Sequence, residues 1–311
     1  MRKVLITGIA SPLGRQLARR LAAGWEVCGV DTRSWPGRPR ELAMHVADLR
    51  KREFEEVMRA ERPHAVVHLG VRREMRRSDA RNRHDLNVRG SKRLFDHCAA
   101  FGVKQLVVVS TGTAYGAAPE NPLYMSEDEP LSASRSYPEI RDRVEVDALA
   151  SAFVWRVPEV RTAVLRPVHV LGPHSTGMLA DYLRRLRPPI VLGYDPLIQV
   201  MHEDDWAESI ALSLTREIAG VFNVTGPGQV PLRTAIAEMH RLPLALPEFV
   251  MRPWIRTSFA AGLLPWPEGA IDYLKFPVTI SGERFAEETG WKPLFGLRET
   301  FAAHRERRSQ P

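Results

Sequence analysis

The sequence predicts an α/β fold, a doubly wound parallel sheet with a smaller C-terminal lobe. Strand-like and helix-like segments alternate through residues 1–167, a glycine-containing turn follows the first strand, and an acidic residue ends the second strand. Strands that are separated by helices form parallel sheets with both faces covered. The 311 residues are enough for one large domain or two modest ones, each with a buried core.

The first half of the chain supplies six predicted strands and the helices between them. Short apolar runs indicate the strands, 3.6-residue periodicity indicates the helices, and Gly24, Pro63 and Gly102 mark helix ends. The predicted strands are 3–8, 25–31, 43–49, 64–70, 104–111 and 161–167, and the predicted helices are 13–24, 51–63, 84–102 and 137–156. We therefore expect a nucleotide-binding type of domain over residues 1–167.

The pattern loosens after Pro167. Predicted strands at 189–193, 197–201 and 220–226 surround a predicted helix at 204–218, and two short helices close the chain. We expect 168–311 to be mostly a substrate-binding lobe, with segments near 197–226 returning to the first domain.

Composition narrows the class of protein. The net charge of +7 permits an anionic partner, but no RNP, zinc-finger or zipper pattern accompanies it, so nucleic acid is not expected. Cys28 and Cys98 are isolated thiols, which gives neither a disulfide framework nor metal-ligand spacing and favours a reducing, cytoplasmic location. No run of 18 apolar residues predicts a membrane span, and the apolar part of the N-terminus is too short for a signal peptide.

The turn "TGIASPLG" after the first strand predicts a dinucleotide site. Gly8 and Gly14 let backbone N–H groups near Ser11, Leu13 and Gly14 approach a pyrophosphate, and the following helix adds its positive end. Asp31 then ends the second strand, where an adenosine ribose is gripped in such folds. Its carboxylate would repel a 2′-phosphate, which favours NAD over NADP. Arg33, with two further arginines nearby, keeps NADP open as an alternative.

Later motifs extend this pattern along the chain. They are "ADL" (47–49), "HLG" (68–70), "NVRGS" (87–91), "STGTAYG" (110–116), "LRP" (165–167), "HEDD" (202–205) and "ETGWKP" (288–293). Together they resemble the extended short-chain dehydrogenase/reductase family, which includes nucleotide-sugar epimerases and dehydratases. In that family the turn reads T-G-x-x-G-x-x-G, and Ser11 stands here for its middle glycine. The resemblance implies an NAD-dependent oxidoreductase that acts on a hydroxyl or carbonyl group, and a homodimer formed through helices 84–102 and 137–156.

The resemblance also assigns roles to residues. It implies cofactor contacts from Gly8, Ser11, Pro12, Leu13, Gly14, Asp31, Arg33, Asp48, Leu49, Leu69, Gly70, Asn87, Tyr137, Arg141 and Pro167. Local roles compete for some of these, because Asp48 could cap a turn and Asn87 could be satisfied within its helix. For "HEDD" a helix start is the favoured interpretation.

The catalytic assignment rests on "SYPEIR" (136–141) and the preceding "STGTAYG". The resemblance implies that Thr111 polarises the substrate oxygen and Tyr137 transfers a proton, with Arg141 at the family's lysine position. Because residues four apart on a helix share a face, we expect Arg141 to point at the nicotinamide ribose beside Tyr137. Arginine is not a conservative replacement there. An NAD-binding protein with degraded catalysis, a sensor or scaffold, is therefore the alternative.

The substrate class is indicated by two features of composition. No arginine precedes "HEDD", where nucleotide-sugar members commonly bind the substrate diphosphate, and 241–277 is strongly apolar. The stretch 71–84 carries six arginines. Such a run is usually a solvated surface, but it could instead bind an anionic group or an anionic membrane. The sequence thus favours a small, lipid-like substrate with an anionic group, with peripheral membrane contact as a further expectation and metal ligands not expected.

Overall fold

A computed structural model describes residues 2–71 and 80–306, and in it the chain forms a parallel sheet between two layers of helices. The strands are β1 Lys3–Thr7, β2 Glu26–Asp31, β3 Ala43–Val46, β4 Ala65–His68, β5 Gln105–Val109, β6 Arg161–Pro167, β7 His169–Leu171, β8 Pro189–Val191, β9 Leu197–His202, β10 Gly220–Val224, β11 Gly228–Pro231 and β12 Leu244–Leu246. The helices are α1 Pro12–Leu21, α2 Arg52–Glu61, α3 Ala80–His84, α4 Gly90–Ala100, α5 Ala133–Ser136, α6 Arg141–Arg156, α7 Met178–Leu183, α8 Glu203–Thr215, α9 Leu232–Glu238, α10 Glu248–Ala260, α11 Glu283–Thr289 and α12 Leu297–Arg305.

The main sheet has seven strands in the order β10-β6-β5-β4-β1-β2-β3, and every neighbouring pair is parallel. The chain winds outward from β1 through β2 and β3, and then returns to the other side of β1 at β4. Open sheets of this kind bind ligands at the carboxyl ends of the strands, where the winding direction changes. The predicted fold class is confirmed, and its functional edge lies at the ends of β1 and β4.

Several predicted elements differ in detail. The predicted strand 197–201 is β9, which pairs with β7 and β11 in a separate three-stranded sheet, whereas β10 joins the main sheet. The predicted helix 84–102 begins as a π-helical turn, Asp85–Arg89, between α3 and α4. The predicted helix 137–156 starts later, at Arg141, after a 3-10 turn over Pro138–Ile140. This last difference decides where two arginines point.

Large side chains fill both faces of the main sheet. One face buries Ile6 and Leu165 together with Trp206 and Phe222, and α11 adds Phe285. The other face buries its apolar side chains beneath α2, α4 and α6, namely Leu5, Phe54, Leu94, Val108 and Phe153. A third cluster fills the smaller lobe and includes Tyr137, Tyr182, Leu232, Trp266 and Phe301. Residues of α11, near the end of the chain, therefore complete the core at the β10 edge of the main sheet.

The start of α8 fixes the segment that precedes α12. His202 caps the helix by accepting the Asp204 N–H at 3.1 Å. The buried Asp205 carboxylate accepts the N–H groups of Leu294 (3.0 Å) and Phe295 (3.2 Å). The "HEDD" segment thus has the helix-start role that was favoured for it.

An exposed apolar patch covers the far end of the smaller lobe. We define it by large apolar side chains that are more than a third exposed, namely Leu186, Leu192, Leu242, Leu244, Phe249, Val250, Trp254 and Leu263. Leu244 lies on β12, which pairs with β8, and Phe249, Val250 and Trp254 lie on α10, whose Met251 and Ile255 pack with Val191 of β8. Within the described part of the chain, no helix is long and apolar enough to cross a membrane.

Candidate active site

The glycine turn is shaped by two close approaches of backbone. Gly8 has φ of 74°, a left-handed conformation that favours glycine, and its N–H donates to the Val30 carbonyl at 2.8 Å. A Cβ on Gly14 would lie 2.5 Å from the Gly8 oxygen, so only glycine fits where α1 meets the turn. Ser11 caps α1, because its Oγ donates to the Gly8 oxygen (2.7 Å) and accepts the Gly14 N–H (3.1 Å).

This cap explains the serine in place of the middle glycine, and it limits the donors available to a ligand. The N–H groups of Ser11 and Gly14 are both used inside the turn, the former with the Gly8 oxygen at 3.0 Å. The expectation that both approach a pyrophosphate is therefore not met. The Leu13 N–H, in the first turn of α1, makes no hydrogen bond within the turn, and the helix adds its positive end there.

Backbone N–H groups hold the Asp31 carboxylate beside the glycine turn. Its Oδ2 accepts the Ala10 N–H at 3.0 Å and its Oδ1 accepts the Arg33 N–H at 3.0 Å. The Arg33 side chain is 73% exposed, with its Nε 3.9 Å from Asp31, so it extends into solvent rather than building a closed phosphate site. A fixed carboxylate at the end of β2 suits a ribose diol and disfavours a 2′-phosphate.

Three other predicted cofactor contacts have partners within the protein. Asp48 accepts two hydrogen bonds from the Arg50 guanidinium at 2.6 and 3.0 Å, which lowers the pKa of its carboxyl. Leu49 is buried in the core beneath α2 and α4. The buried Asn87 donates to the Asp142 carboxylate at 2.5 Å. Asp48 also accepts the Arg50 N–H at 2.9 Å, which is the turn-cap role, whereas the partner of Asn87 lies on α6 and not within its own helix.

A buried hydrogen-bond chain holds the end of β4 against the glycine turn. Thr7 Oγ1 lies 2.7 Å from His68 Nδ1, and His68 Nε2 lies 2.8 Å from Ser91 Oγ. Thr7 Oγ1 also accepts the Gly70 N–H at 3.2 Å. Burial lowers the pKa of His68 to about 4, so the ring is neutral at pH 7. This brings the backbone of Leu69 and Gly70 beside Gly8.

A cleft of about 430 Å³ opens beside this turn. One wall comes from the glycine turn and α1, with the end of β4, and the other comes from the loop after β7 and the start of α8. The lining residues used below are Ser11, Pro12, Leu13, Leu69, His174 and Glu203. The predicted residues Ser11, Pro12, Leu13 and Leu69 are thereby brought together. A cleft at a helix N-terminus, with Asp31 adjoining the turn, fits the phosphates and ribose of NAD.

Tyr137 lies at the junction of α5 and the 3-10 turn, and it is 1% exposed. Its ring meets Tyr273 edge-on at 5.9 Å, and its hydroxyl is 4.0 Å from Met178 Sδ. Burial raises the pKa of Tyr137, and the nearby positive charge of Arg143 opposes that rise. The phenol is therefore protonated at neutral pH.

Thr111 begins the turn that leads toward this tyrosine pair. Its hydroxyl is 2.8 Å from the Thr113 hydroxyl, and Tyr273 donates to the Thr113 carbonyl at 2.7 Å. Tyr273, from the apolar stretch 241–277, thus bridges Thr113 and Tyr137. Sequence reasoning missed it, because its position in an apolar run gave no sign of a polar contact. Pro167 is buried at the end of β6, and its oxygen would lie 3.0 Å from a Cβ on Gly112.

The predicted orientation of Arg141 is wrong. Its side chain is 71% exposed and pairs with Glu145 at 2.9 Å along the outer face of α6. The helix is oriented by Asp147, which forms a fully buried ion pair with Arg166 (2.7 Å) and accepts a hydrogen bond from Ser110 Oγ (2.5 Å). Residues four before Asp147 face inward with it, whereas positions 141 and 145 face solvent.

Arg143 occupies the inward position instead. It lies four residues before Asp147, and its charge acts on both Tyr137 and Tyr273. The prediction for Arg141 from the Y-x-x-x-R spacing requires one continuous helix that begins at Tyr137. Tyr137 instead has non-helical φ and ψ angles of −134° and 77°. The 3-10 turn after it shifts the helical register.

A small apolar cavity of about 50 Å³ adjoins the tyrosine pair. Tyr273, Met178 and Trp266 line it, together with Ile198, Leu232 and Ile255. His169 also borders it, and burial lowers the pKa of this histidine to about 4. The stretch 241–277 therefore both fills the core of the smaller lobe and lines this cavity.

Comparison with known proteins identifies the family. Residues 4–225 match the model of the NAD dependent epimerase/dehydratase family. The chain belongs to this family. The predicted family and its cofactor, NAD, are thereby confirmed.

Curated relatives carry different names. The chain is 27% identical over 309 residues to an uncharacterized protein of Mycobacterium tuberculosis, covering 96% of this chain and 82% of that protein. It is 25% identical over 309 residues to the 3-diazoavenalumate denitrifying reductase of a Streptomyces species, covering 94% and 96%. UDP-glucose 4-epimerase GEPI48 of Cyamopsis tetragonoloba is 27% identical over 195 residues, which is 57% of this chain and 55% of the epimerase.

Solved structures agree in fold. UDP-glucose 4-epimerase of Thermus thermophilus, in complex with NAD, superposes with a TM-score of 0.76 at 22% identity, covering 99% of this chain and 98% of the epimerase. dTDP-glucose 4,6-dehydratase of Bacillus anthracis, also with NAD, gives a TM-score of 0.74 at 14% identity, covering 98% and 96%. At these identities the likeness establishes the architecture alone.

Proposed function

We propose that this protein is an NAD-dependent oxidoreductase that interconverts a hydroxyl and a carbonyl group on an apolar or amphiphilic substrate. The observation that carries the proposal is the juxtaposition of Tyr137, Arg143 and Tyr273 beside an apolar cavity, in a family whose members depend on NAD. NAD supplies the hydride acceptor or donor when bound. The chain's own residues bind and orient the reactants and hold the proton.

Tyr137 is the proposed proton carrier, and its environment favours one direction. Burial raises its pKa, so the phenol holds its proton and suits donation to a carbonyl oxygen, which is the reductive direction. Arg143 counters that rise and stabilises the tyrosinate that donation leaves behind. Thr111 is proposed to polarise the substrate oxygen. Arg141 has no part in this scheme.

Binding of NAD is assigned to the glycine turn, the first turn of α1 and Asp31. The diphosphate is placed against the Leu13 N–H and the helix N-terminus, and the adenosine ribose against Asp31. Leu69 and Gly70 supply the facing wall.

The proposed substrate class follows from the lining of the cavity beside Tyr273. Its walls are largely aliphatic and aromatic, which favours an apolar group over a sugar. One relative that matches along nearly the whole chain is named 3-diazoavenalumate denitrifying reductase, whereas the match to the UDP-glucose 4-epimerase sequence covers 57% of the chain. We therefore favour an apolar compound with an anionic group over a nucleotide sugar.

Oxidation of NADH at 340 nm tests the activity against apolar carbonyl compounds with and without a carboxylate, with UDP-glucose as the comparison. Tyr137→Phe is expected to lower kcat at least ~10²-fold, the usual scale of a lost acid–base group. Arg143→Met should do likewise, and Arg141→Met is the matched control that should leave kcat unchanged. Turnover of UDP-glucose alone would contradict the substrate class, and equal kcat values for the two arginine variants would contradict the role of Arg143.

A second candidate function is NAD binding without catalysis, as a sensor or scaffold. The observation in its favour is the near-complete burial of Tyr137, which is 1% exposed. If this second function is correct, the wild-type protein will bind NAD tightly but will not oxidise NADH with any of the carbonyl compounds. The Tyr137→Phe variant will then have the same NAD affinity and the same cellular phenotype as the wild type.

The proposed partners include an anionic membrane surface and a second copy of the chain. The apolar patch of the smaller lobe combines Trp254 and Phe249 with nearby arginines such as Arg187, a composition typical of helices that lie in a bilayer interface.

On the outer face of α6, Trp155 is 85% exposed and lies on the same helix face as the exposed Ala148 and Ala152, which suits a homodimer contact. Light scattering should show a dimer for the wild type and a monomer for Trp155→Glu, and a wild-type monomer would exclude this contact.

A further inference from the structure

The wall of the cleft opposite the glycine turn carries a histidine held by a carboxylate. His174, in the loop after β7, has its Nδ1 2.9 Å from Glu203 Oε1. Its backbone N–H donates to the same carboxylate, 3.1 Å from Oε2. Glu203 is buried, whereas the His174 side chain is 29% exposed, and both line the cleft together with Ser11, Pro12 and Leu13.

The loop that presents His174 is tightly fixed. A Cβ on Gly172 would lie 2.4 Å from the Glu203 side chain, so the loop is pressed against the carboxylate and needs glycine there. Arg184 donates to the oxygens of Ser175 (2.7 Å) and Gly172 (2.9 Å) from the other side. The ring of His174 is therefore positioned by the fold and does not depend on a ligand to order it.

The carboxylate determines which ring atom remains for a ligand. Because Glu203 accepts from Nδ1, that nitrogen is the donor, and Nε2 is left to face the cleft. In a histidine ring that carries a proton on both nitrogens, Nδ1 donates to the carboxylate and Nε2 is a second donor. Histidine in this state donates a charge-assisted hydrogen bond to a phosphate oxygen.

Two groups that can contact a phosphate thus lie on opposite walls of one cleft. The N-terminus of α1 contributes its positive end on one side, and the His174–Glu203 pair lies on the other. Arg15 and Arg19 also line the cleft, but the Nε of Arg15 donates to the Ala10 carbonyl at 3.1 Å, while its guanidinium lies over Trp35. Asp204 is the other acidic group that lines it.

We propose that His174, oriented by Glu203, is a cofactor-positioning residue that contacts the dinucleotide diphosphate from the wall opposite the glycine turn. This inference rests on the proposed NAD-binding function. The N–H groups of Ser11 and Gly14 are already hydrogen-bonded within the turn. Without His174, the diphosphate site would therefore depend on the Leu13 N–H and the N-terminal end of α1, and His174 adds a side-chain contact to it.

Calorimetric titration with NAD and with ADP-ribose tests the contact without any need for a substrate. The loss of one charge-assisted hydrogen bond should weaken both ligands about 10–100-fold in His174→Ala. Adenosine, which has no diphosphate, should bind wild type and variant equally in competition against NAD. His240→Ala, at an exposed histidine of the smaller lobe, is the matched control and should bind NAD like wild type.

A second variant separates orientation from folding. Glu203→Gln retains a hydrogen-bond acceptor but removes the charge, and it should weaken NAD binding less than His174→Ala at an unchanged unfolding temperature. If wild-type protein does not bind NAD, the proposed function itself fails. If wild type binds NAD and His174→Ala binds it with the same Kd, the contact is overturned while the function stands. An equal loss of adenosine affinity would also overturn it, because the effect would not depend on the diphosphate.

Discussion

Among single residues, Asp31 is the one that we propose determines which dinucleotide the protein accepts. Its carboxylate is fixed by the N–H groups of Ala10 and Arg33, so it cannot turn away from a ribose placed beside the turn. Asp31→Ser should weaken NAD about tenfold, a loss of roughly one charge-assisted hydrogen bond, and should strengthen NADP by removing the repulsion. Titration of wild type and variant with both dinucleotides measures this. Arg33→Ser is the control for NAD, and NADP that binds wild type more tightly than NAD would contradict the role of Asp31.

A second residue-scale consequence concerns pH and stability. Burial lowers the pKa of His68 to about 4 from 6.5, so between these values the unfolded chain binds the additional proton. Stability from this group is therefore complete above pH 6.5 and declines as the pH falls toward 4. The expected loss between about pH 8 and about pH 5 is about 2 kcal/mol in the free energy of unfolding. Urea unfolding at both values measures it, and His68→Asn should show a smaller difference between the two pH values. An unchanged difference in that variant would assign the pH dependence to other groups.

At the scale of elements, the orientation of α6 depends on one buried ion pair. Asp147 and Arg166 are 0% and 5% exposed, so removal of one partner leaves a charge buried without compensation. Asp147→Ala should lower the free energy of unfolding by about 3–5 kcal/mol. Glu145→Ala, which removes the exposed partner of Arg141, should change it by less than about 1 kcal/mol. Denaturant unfolding compares them, and equal effects would show that the buried pair does not orient the helix.

Some features of the fold and of the candidate site could be predicted from the sequence, and others could not. The glycine turn, the position of Asp31 at the end of β2 and the parallel sheet could be predicted, because each leaves a sequence pattern: a short motif for the first two, and alternating strands and helices for the sheet. Arg143 could not, because one 3-10 turn between Tyr137 and Arg141 changes which face of α6 each arginine occupies. Tyr273 could not either, because its contacts with Tyr137 and Thr113 join segments more than 100 residues apart. The arginines at 72, 73, 76 and 77 lie outside the described residues, so the prediction for that run stays a prediction.

For the whole molecule, the apolar patch predicts how the protein distributes between water and lipid. Phe249 is 80% exposed and Trp254 43% exposed, while Met251 and Ile255 hold the other face of α10 in place. The protein should co-sediment with vesicles that contain phosphatidylserine and bind neutral phosphatidylcholine vesicles more weakly, because exposed arginines such as Arg187 favour anionic lipid. Phe249→Glu with Trp254→Glu should reduce the bound fraction several-fold, and Leu294→Glu, at an exposed leucine outside the patch, is the control. Equal binding by both variants would contradict the role of the patch.

The packing of α11 on β10 has a consequence for biosynthesis. Phe285 of α11 packs against Phe222 of β10 and against Trp291, so the ribosome supplies this part of the core only after more than nine-tenths of the chain has been made. Domains usually fold as units in the order of their synthesis. Here the apolar face at β10 stays incomplete until translation is nearly finished. The emerging chain should therefore depend on chaperones for longer than its compact N-terminal sequence pattern suggests.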